Sequence, residues 1–192
     1  YLYIAVFCRD TTPAGIVVND IRKDFATGSQ DTFDVLLDTF GDHRNGFVFS
    51  TNAEGAKADT QMANEGRDVN ANWDAVWWVA AHTTEGGWTA EFRIPFSTLR
   101  YGGSATQTWG LNFARSIRRK NEESFWSFVP RQFNLMRLSR AGTLRGVQVP
   151  MRRVATVTSQ PFGFRGSPSI GQRAAAAMSA SWTASSHPSK SR

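Results

Sequence analysis

The residues of this sequence best suited to chemistry are carboxylates and aromatic rings. Asp34 lies in the segment 31–38, where it alternates with the apolar residues Phe33 and Val35. Because successive side chains of a strand face opposite sides of a sheet, Asp34 is predicted to point away from the core and to be accessible. There it could accept hydrogen bonds from ligand hydroxyls or remain a solvated surface charge. The sequence leaves both interpretations open.

Catalysis is not favoured by the spacing of these groups. A glycosidase needs two carboxyl groups about 5–10 Å apart across a cleft. Asp34 and Asp38 are four residues apart on one predicted strand, which separates them by about 13 Å. The three histidines and the single cysteine form no Ser/His or Cys/His catalytic pattern. We therefore expect no catalytic residue in this domain, and any O-glycosyl hydrolase activity is expected in a linked domain.

A candidate metal site follows the same strand. Asp38, Asp42 and Asn45 place three oxygen donors within eight residues. Hard cations such as Ca²⁺ bind carboxylate and carbonyl oxygens on flexible loops, so these residues could hold a structural calcium ion. The spacing is not that of an EF-hand, and a hairpin turn of this composition needs no metal.

Tryptophans are the other candidate binding groups, because sugar rings stack on aromatic faces. Six of the seven tryptophans lie between positions 73 and 126. Trp77 and Trp78 are adjacent and must face opposite sides of a sheet. Trp88 and Trp109 each begin an apolar-facing set and are predicted to lie in the core. Trp73 lies in a loop rich in Asn and Asp, which makes it a candidate ligand contact.

The elements that must position these residues are strands. Residues 87–96 alternate strictly between apolar and polar side chains, after a turn at 85–87. Further strands are predicted at 1–8, 15–22, 32–40, 46–52, 75–83, 108–118, 124–128 and 135–149. No long segment has helical periodicity. The predicted fold class is all-β, an antiparallel β-sandwich with little helix.

The chain resembles the family 9 carbohydrate-binding module, and the segments that carry the resemblance are, in order, 31–38, 87–96, 109–115 and 118–127. It is most similar to the copy at the N-terminus of bacterial envelope proteins. The C-terminal part of those proteins is expected to be an outer-membrane barrel. The resemblance covers residues 1–162. It implies a jelly-roll or immunoglobulin-like sandwich that binds a polysaccharide or oligosaccharide without catalysis, in association with glycoside hydrolysis and carbohydrate catabolism. It also implies a periplasmic, outer-membrane or extracellular location and a linked barrel domain. By this resemblance we expect the chain to be a fragment that lacks the first strands of the domain.

The resemblance also implies a site. Family 9 modules that bind sugar-chain ends hold the terminal residue between two tryptophans. The matching positions lack tryptophan here, and Phe133 and Phe25 are the aromatic residues nearest to them. Asp34 falls near the carboxylate that binds sugar hydroxyls, and Asn52 and Arg131 are expected as further polar partners. Structural calcium is also a property of the family.

Two other functions remain open. The missing tryptophan pair favours an interaction domain of an outer-membrane barrel protein that binds no sugar. A haem-binding redox domain would require Met62 and His82 as axial ligands, and we do not expect haem.

Charge and composition restrict the possible partners. The net charge of +6 resides in residues 151–192, because residues 1–150 carry equal numbers of cationic and acidic side chains. A neutral domain lacks the basic face that phosphate binding needs, so no nucleic acid is expected. Arg115–Lys120 and the following glutamates are expected to pair with each other across an exposed turn. The lone Cys8 is expected to be buried and inert.

The predicted domain organisation has three parts. Residues 1–150 form the sandwich, 151–166 begin the following region, and 167–192 are a disordered, Ser/Ala-rich basic tail.

Overall fold

The computed structural model describes residues 1–150 and the strand at 176–182. Within these residues eleven strands form two sheets, and the helical segments are five single 3₁₀ turns. The strands are β1 (Leu2–Arg9), β2 (Thr32–Asp38), β3 (Gly46–Asn52), β4 (Lys57–Ala63), β5 (Asp68–Asn70), β6 (Trp78–Thr84), β7 (Gly87–Ile94), β8 (Thr106–Ile117), β9 (Glu122–Phe125), β10 (Gly142–Gln148) and β11 (Ala176–Trp182). The predicted all-β sandwich is confirmed. None of the helical turns in the described residues is long and apolar enough to cross a membrane.

The two sheets differ in size. The smaller sheet has the order β11-β1-β7-β6, and the larger has the order β10-β8-β2-β3-β4-β5. β10 pairs with the N-terminal half of β8, and β9 pairs with its C-terminal half. The pairings are antiparallel except that of β1 with β11. The two sheets pack face to face, which buries one face of each sheet against the other.

The main core lies between the sheets and follows the predicted alternation. Trp88, Phe92 and Ile94 of β7 point inward, where they meet the apolar residues of β2. The ring of Phe92 stacks on Trp77 with centroids 5.8 Å apart and planes 5° apart. Burying a large apolar side chain contributes about 1.5–3 kcal/mol, so this face provides most of the drive to fold.

Several predictions about single residues are confirmed. Trp88 and Trp109 are buried in the core. Trp77 is buried while its neighbour Trp78 is 45% exposed, as opposite orientation requires. Cys8 is a free, buried thiol.

The larger sheet is also partly covered on its outer side. Leu36 of β2 points outward and packs with Val48 and Met62, under Leu135 and Leu138 from the segment after β9. This outer cluster explains why β2 reads Val-Leu-Leu instead of alternating, since the strand is buried on both faces.

Some predicted elements are corrected by the structure. Residues 15–22 form no strand, because Asn19 and Asp20 direct their backbone N–H groups to the side chain of Gln30 instead of a neighbouring strand. In the segment predicted as 135–149, only Gly142–Gln148 is a strand, because the preceding residues cover the outer cluster. β4 was not predicted, because its inward positions hold polar side chains such as Asp59.

The tail prediction is corrected over seven residues. Ala176–Trp182 forms β11, which pairs in parallel with residues 2–8 of β1. An uncovered edge strand offers free N–H and C=O groups, and their pairing needs little contribution from side chains. The predicted region 151–166 and the rest of the predicted tail lie outside the described residues.

Candidate functional site

Asp34 lies on the outer face of the larger sheet, the side that its alternation predicted. It sits between Ser50 on β3 and Ala114 on β8. It is half-buried and not fully accessible, which corrects the expectation of an open surface charge. Its Oδ2 accepts a hydrogen bond from Thr32 Oγ1 at 3.2 Å, while its Oδ1 is buried and has no hydrogen-bond partner in the described structure.

The electrostatics of Asp34 follow from this burial. Burial raises the pKa of Asp34 to about 6, and the nearby carboxylate of Glu123 adds to the increase. Glu123 is on β9, and burial raises its pKa also. The outer face therefore holds a carboxylate with one buried acceptor atom that makes no hydrogen bond in the described structure.

The segment after β9 brings two more predicted residues to the same outer side. Phe133 is half-buried, and the guanidinium of Arg137 lies 4.6 Å from its ring centre. Arg137 is held in turn by Glu65, with Nη1 3.0 Å from the carboxylate. Arg131 is exposed. Phe25, the other aromatic candidate, is buried and has no free face for a ligand.

Phe128 on the same segment was not singled out from the sequence. It is 78% exposed, the largest fraction among the exposed large apolar side chains in the described residues. The sequence placed it at the end of a predicted strand, 124–128, whereas β9 ends at Phe125 and the chain around Phe128 is irregular.

Asn52 is placed differently from the prediction. It is fully buried, and its Nδ2 donates to Asp20 O at 2.8 Å and to Gln30 Oε1 at 3.0 Å. Its Oδ1 accepts the backbone N–H groups of Glu54 and Ala56. All four hydrogen-bonding positions of the amide are used, so Asn52 holds the loops together and has none left for a ligand.

Trp73 is separated from Asp34 by the sheet. Its half-buried ring packs against Phe47 and Phe49, with centroids 4.8 and 6.0 Å away. Both phenylalanines point to the inner side of β3. The structure therefore groups Asp34, Arg131 and Phe133 on one side of the molecule and leaves Trp73 and Asn52 out.

The candidate calcium loop is held by its own hydrogen bonds. Asp38 is fully buried and accepts the backbone N–H groups of Gly41 and His43, each at 2.8 Å. Asp42 accepts the backbone N–H and the side-chain amide of Asn45. Donors already point at both carboxylates, so the loop is held by its own hydrogen bonds in this conformation, and structural calcium here stays a prediction. No cluster of three or more His, Cys, Asp or Glu side chains suited to a metal occurs among the described residues.

A cleft lies at the end of the sandwich where β3 begins and β4 ends. This end cleft has a volume of about 460 Å³, within the usual range for small-ligand sites. Buried Phe47 and Met62 line it together with Phe40, 52% exposed, and Val69, 48% exposed. Polar side chains complete the lining, among them that of Asn45, which we had predicted as a metal ligand.

A buried ionic network occupies the opposite end of the sandwich. Arg119 donates to both carboxylate oxygens of Asp10, at 2.8 and 2.6 Å, and Arg115 Nη1 donates to Arg9 O at 2.6 Å. Arg115 is buried and Arg119 pairs with Asp10, so the expected exposed pairing with the following glutamates is wrong for both. The sequence did indicate this burial, because Arg115 lies four and two residues after Leu111 and Phe113, which point inward on the same strand. The network ties β8 to the end of β1.

The two residues considered for haem lie apart. Met62 belongs to the outer cluster of the larger sheet, whereas His82 is exposed on the smaller sheet. The whole sandwich lies between them, so they cannot share one iron.

Comparison with known proteins identifies one solved structure with a similar fold. No protein-family model matches the chain, and no curated protein matches it significantly. The crystal structure of a protein from Bacteroides uniformis named as a candidate carbohydrate-binding protein matches with a TM-score of 0.52 and 15% sequence identity. The match covers 65% of each chain, so the chain spans less than two thirds of that protein. The two proteins share a fold. At this identity the likeness extends to the sandwich and not to the ligand.

Proposed function

We propose that this domain is a non-catalytic carbohydrate-binding module of the family 9 type, with its site on the outer face beside Asp34. The observation that carries the proposal is the buried Oδ1 of Asp34, which has no hydrogen-bond partner in the described structure. A buried acceptor without a donor costs about 1–3 kcal/mol, and in this proposal a local movement of the outer face lets a sugar hydroxyl supply the missing donor. The shared fold with a candidate carbohydrate-binding protein supports the proposal.

Three groups divide the recognition in this proposal. Asp34 accepts a hydroxyl hydrogen, and the exposed guanidinium of Arg131 donates to a ring or hydroxyl oxygen. Phe133 offers the ring face that Arg137 does not cover, on which the C–H groups of a pyranose can stack.

We further propose the cellular setting that the family resemblance implies. The domain would belong to a periplasmic, outer-membrane or extracellular protein, with a linked outer-membrane barrel. In such a protein a binding module raises the local concentration of a linked glycoside hydrolase on its polysaccharide. Carbohydrate catabolism is the corresponding process.

Affinity electrophoresis tests the site. The chain is run through gels that contain xylan, hydroxyethyl cellulose, mixed-linkage β-glucan or peptidoglycan fragments, each with and without Ca²⁺. We expect retardation on one glycan, lost in Asp34→Asn and weakened in Phe133→Ala. Asp20→Asn is the matched control, because Asp20 is paired with Arg22 on an exposed loop and should leave mobility unchanged.

The alternative is an interaction domain that binds no sugar. Equal mobility of folded wild-type chain on every gel would favour that function and overturn the carbohydrate proposal. Retardation that Asp34→Asn does not change would retain sugar binding but move the site away from the outer face. A calcium requirement would support a structural metal site, for which the loop 38–45 is the predicted place.

A further inference from the structure

The end cleft contains polar groups that the fold does not use. The side-chain amide of Gln61 makes no hydrogen bond within the described residues, and Asn70 uses only its Oδ1, which accepts from Asn72 N at 3.2 Å. Amides both donate and accept, so the pair suits hydroxyl groups, which do the same. The exposed ring of Phe40 lies in the same cleft and offers an apolar face.

The end cleft is lined by one acidic and one basic side chain, Asp68 and Arg100. Asp68 is bound by the side-chain amide of Asn64. Arg100 is exposed, and its guanidinium has neither a hydrogen bond nor an ion pair within the described residues. The guanidinium is therefore available to an anionic group of a ligand, and its planar donor fork matches a carboxylate.

A hydrogen bond to the backbone of Arg100 ties it to the segment that carries Phe40. Thr39 Oγ1 donates a hydrogen bond to Arg100 O, which joins the turn after β7 to the residue that precedes Phe40. The hydrogen bond therefore keeps the backbones of the two residues close while both side chains stay exposed. A ligand in the cleft can contact the ring and the guanidinium together.

We infer that the end cleft is a second glycan-binding site and that it selects uronic acid residues, with Arg100 reading the carboxylate and Phe40 the sugar face. The inference goes beyond the proposed function, because this site lies at the end of the sandwich and does not use Asp34. Gln61 and Asn70 bind the hydroxyl groups. A polysaccharide that reaches both this cleft and the outer face would bind the module at two sites, which increases its overall affinity.

Calorimetric titration of the full chain tests this site with matched ligands. The probes are digalacturonic acid, aldobiouronic acid and dimannuronic acid, each compared with its neutral methyl ester. We expect at least one acid to bind more tightly than its ester, by on the order of tenfold, as a charge-assisted hydrogen-bond pair predicts. Arg100→Gln should remove that difference, and Phe40→Ala should weaken acid and ester together.

Two control variants separate this site from the outer face. Arg145→Gln removes an equally exposed arginine on β10 and should change nothing. Asp34→Asn should abolish binding of the neutral polysaccharide identified by electrophoresis while leaving acid binding intact. Binding of no acid in the panel, equal affinity for acid and ester, or an unchanged preference in Arg100→Gln would overturn the inference. None of these results bears on retardation by the outer face.

Discussion

Asp34 combines a position that costs stability with a group that a ligand can use. Its carboxylate is half-buried, one oxygen has no partner, and burial raises its pKa to about 6. Natural sequences retain such a group chiefly where it is needed for binding or catalysis. The residue that most weakens the outer face is therefore also the one on which the proposed affinity depends.

Replacing Asp34 should expose this conflict as a pH-dependent gain in stability. The pKa of the folded state lies above the unfolded value of about 3.9, so the protonated form is favoured and stability is lost as the pH rises from about 4 through 6. A shift of two units corresponds to about 3 kcal/mol at most, and partial exposure reduces it. We expect Asp34→Asn to raise the free energy of unfolding by about 1–2 kcal/mol at pH 8 and by little at pH 4, measured by urea denaturation.

Asp20→Asn serves as the control of opposite sign. Hydrogen bonds from Arg22 lower the pKa of Asp20 to about 2. The ionised carboxylate therefore stabilises the fold at pH 8, and this stabilisation is lost as the pH falls from about 4 to about 2. The exposed substitution should not stabilise the protein at pH 8. A loss of stability in Asp34→Asn at pH 8 would contradict the idea that the ionised carboxylate is strained.

The tight connection between β6 and β7 rests on one glycine. Gly87 has φ of +136°, a conformation that side chains disfavour. A Cβ at this position would lie 2.1 Å from the carbonyl oxygen of Cys8 on the adjacent β1. The glycine therefore allows the hairpin to turn and at the same time lets two strands approach.

Gly87→Ala should damage the smaller sheet. The strained backbone and the clash with a main-chain atom together should cost about 3 kcal/mol or more. For a chain of this size that corresponds to a fall in Tm of about 6–12 °C, measured by circular dichroism. Gly103→Ala is the matched control, because it has open space around the position and an ordinary φ. Equal Tm values for the two variants would show that β1 and β7 do not approach as described.

The whole sandwich protects the single thiol. Cys8 is buried between the sheets, where it faces the core opposite Trp88 in the register of β1 and β7. Burial raises the pKa of this thiol to about 12, so the reactive thiolate is scarce in the folded protein. Its reaction with reagents should depend on opening of the molecule.

Thiol labelling should therefore report global unfolding. We expect the rate of reaction with DTNB at pH 8 to be negligible in water and to rise with urea in parallel with the loss of tryptophan fluorescence. Unfolded chain in concentrated urea sets the upper rate. A thiol that reacts in water at that rate, or well before the fluorescence transition, would indicate that β1 detaches locally from β7.

Part of the site was predictable because it depended on local alternation. The outward direction of Asp34 followed from its place between Phe33 and Val35, and the inward direction of Trp88 followed in the same way. The roles of Asn52 and Trp73 were not predictable. Asn52 meets Gln30 and Asp20, and Trp73 meets Phe47, through contacts between residues that are distant along the chain.

By itself, the sequence determined the all-β class, the inward face of alternating strands such as β7 and the burial of Cys8, because these follow from a two-residue period and from apolar burial. Only the tertiary structure decided which strands are neighbours, that Arg115 reaches Asp10, that residues 135–138 cover the outer cluster, and that Phe40 and Arg100 share a cleft. The physical reason is that strand pairing and packing join segments far apart in the chain. A local pattern sets the direction of a side chain, but it does not name the residue that the side chain will meet.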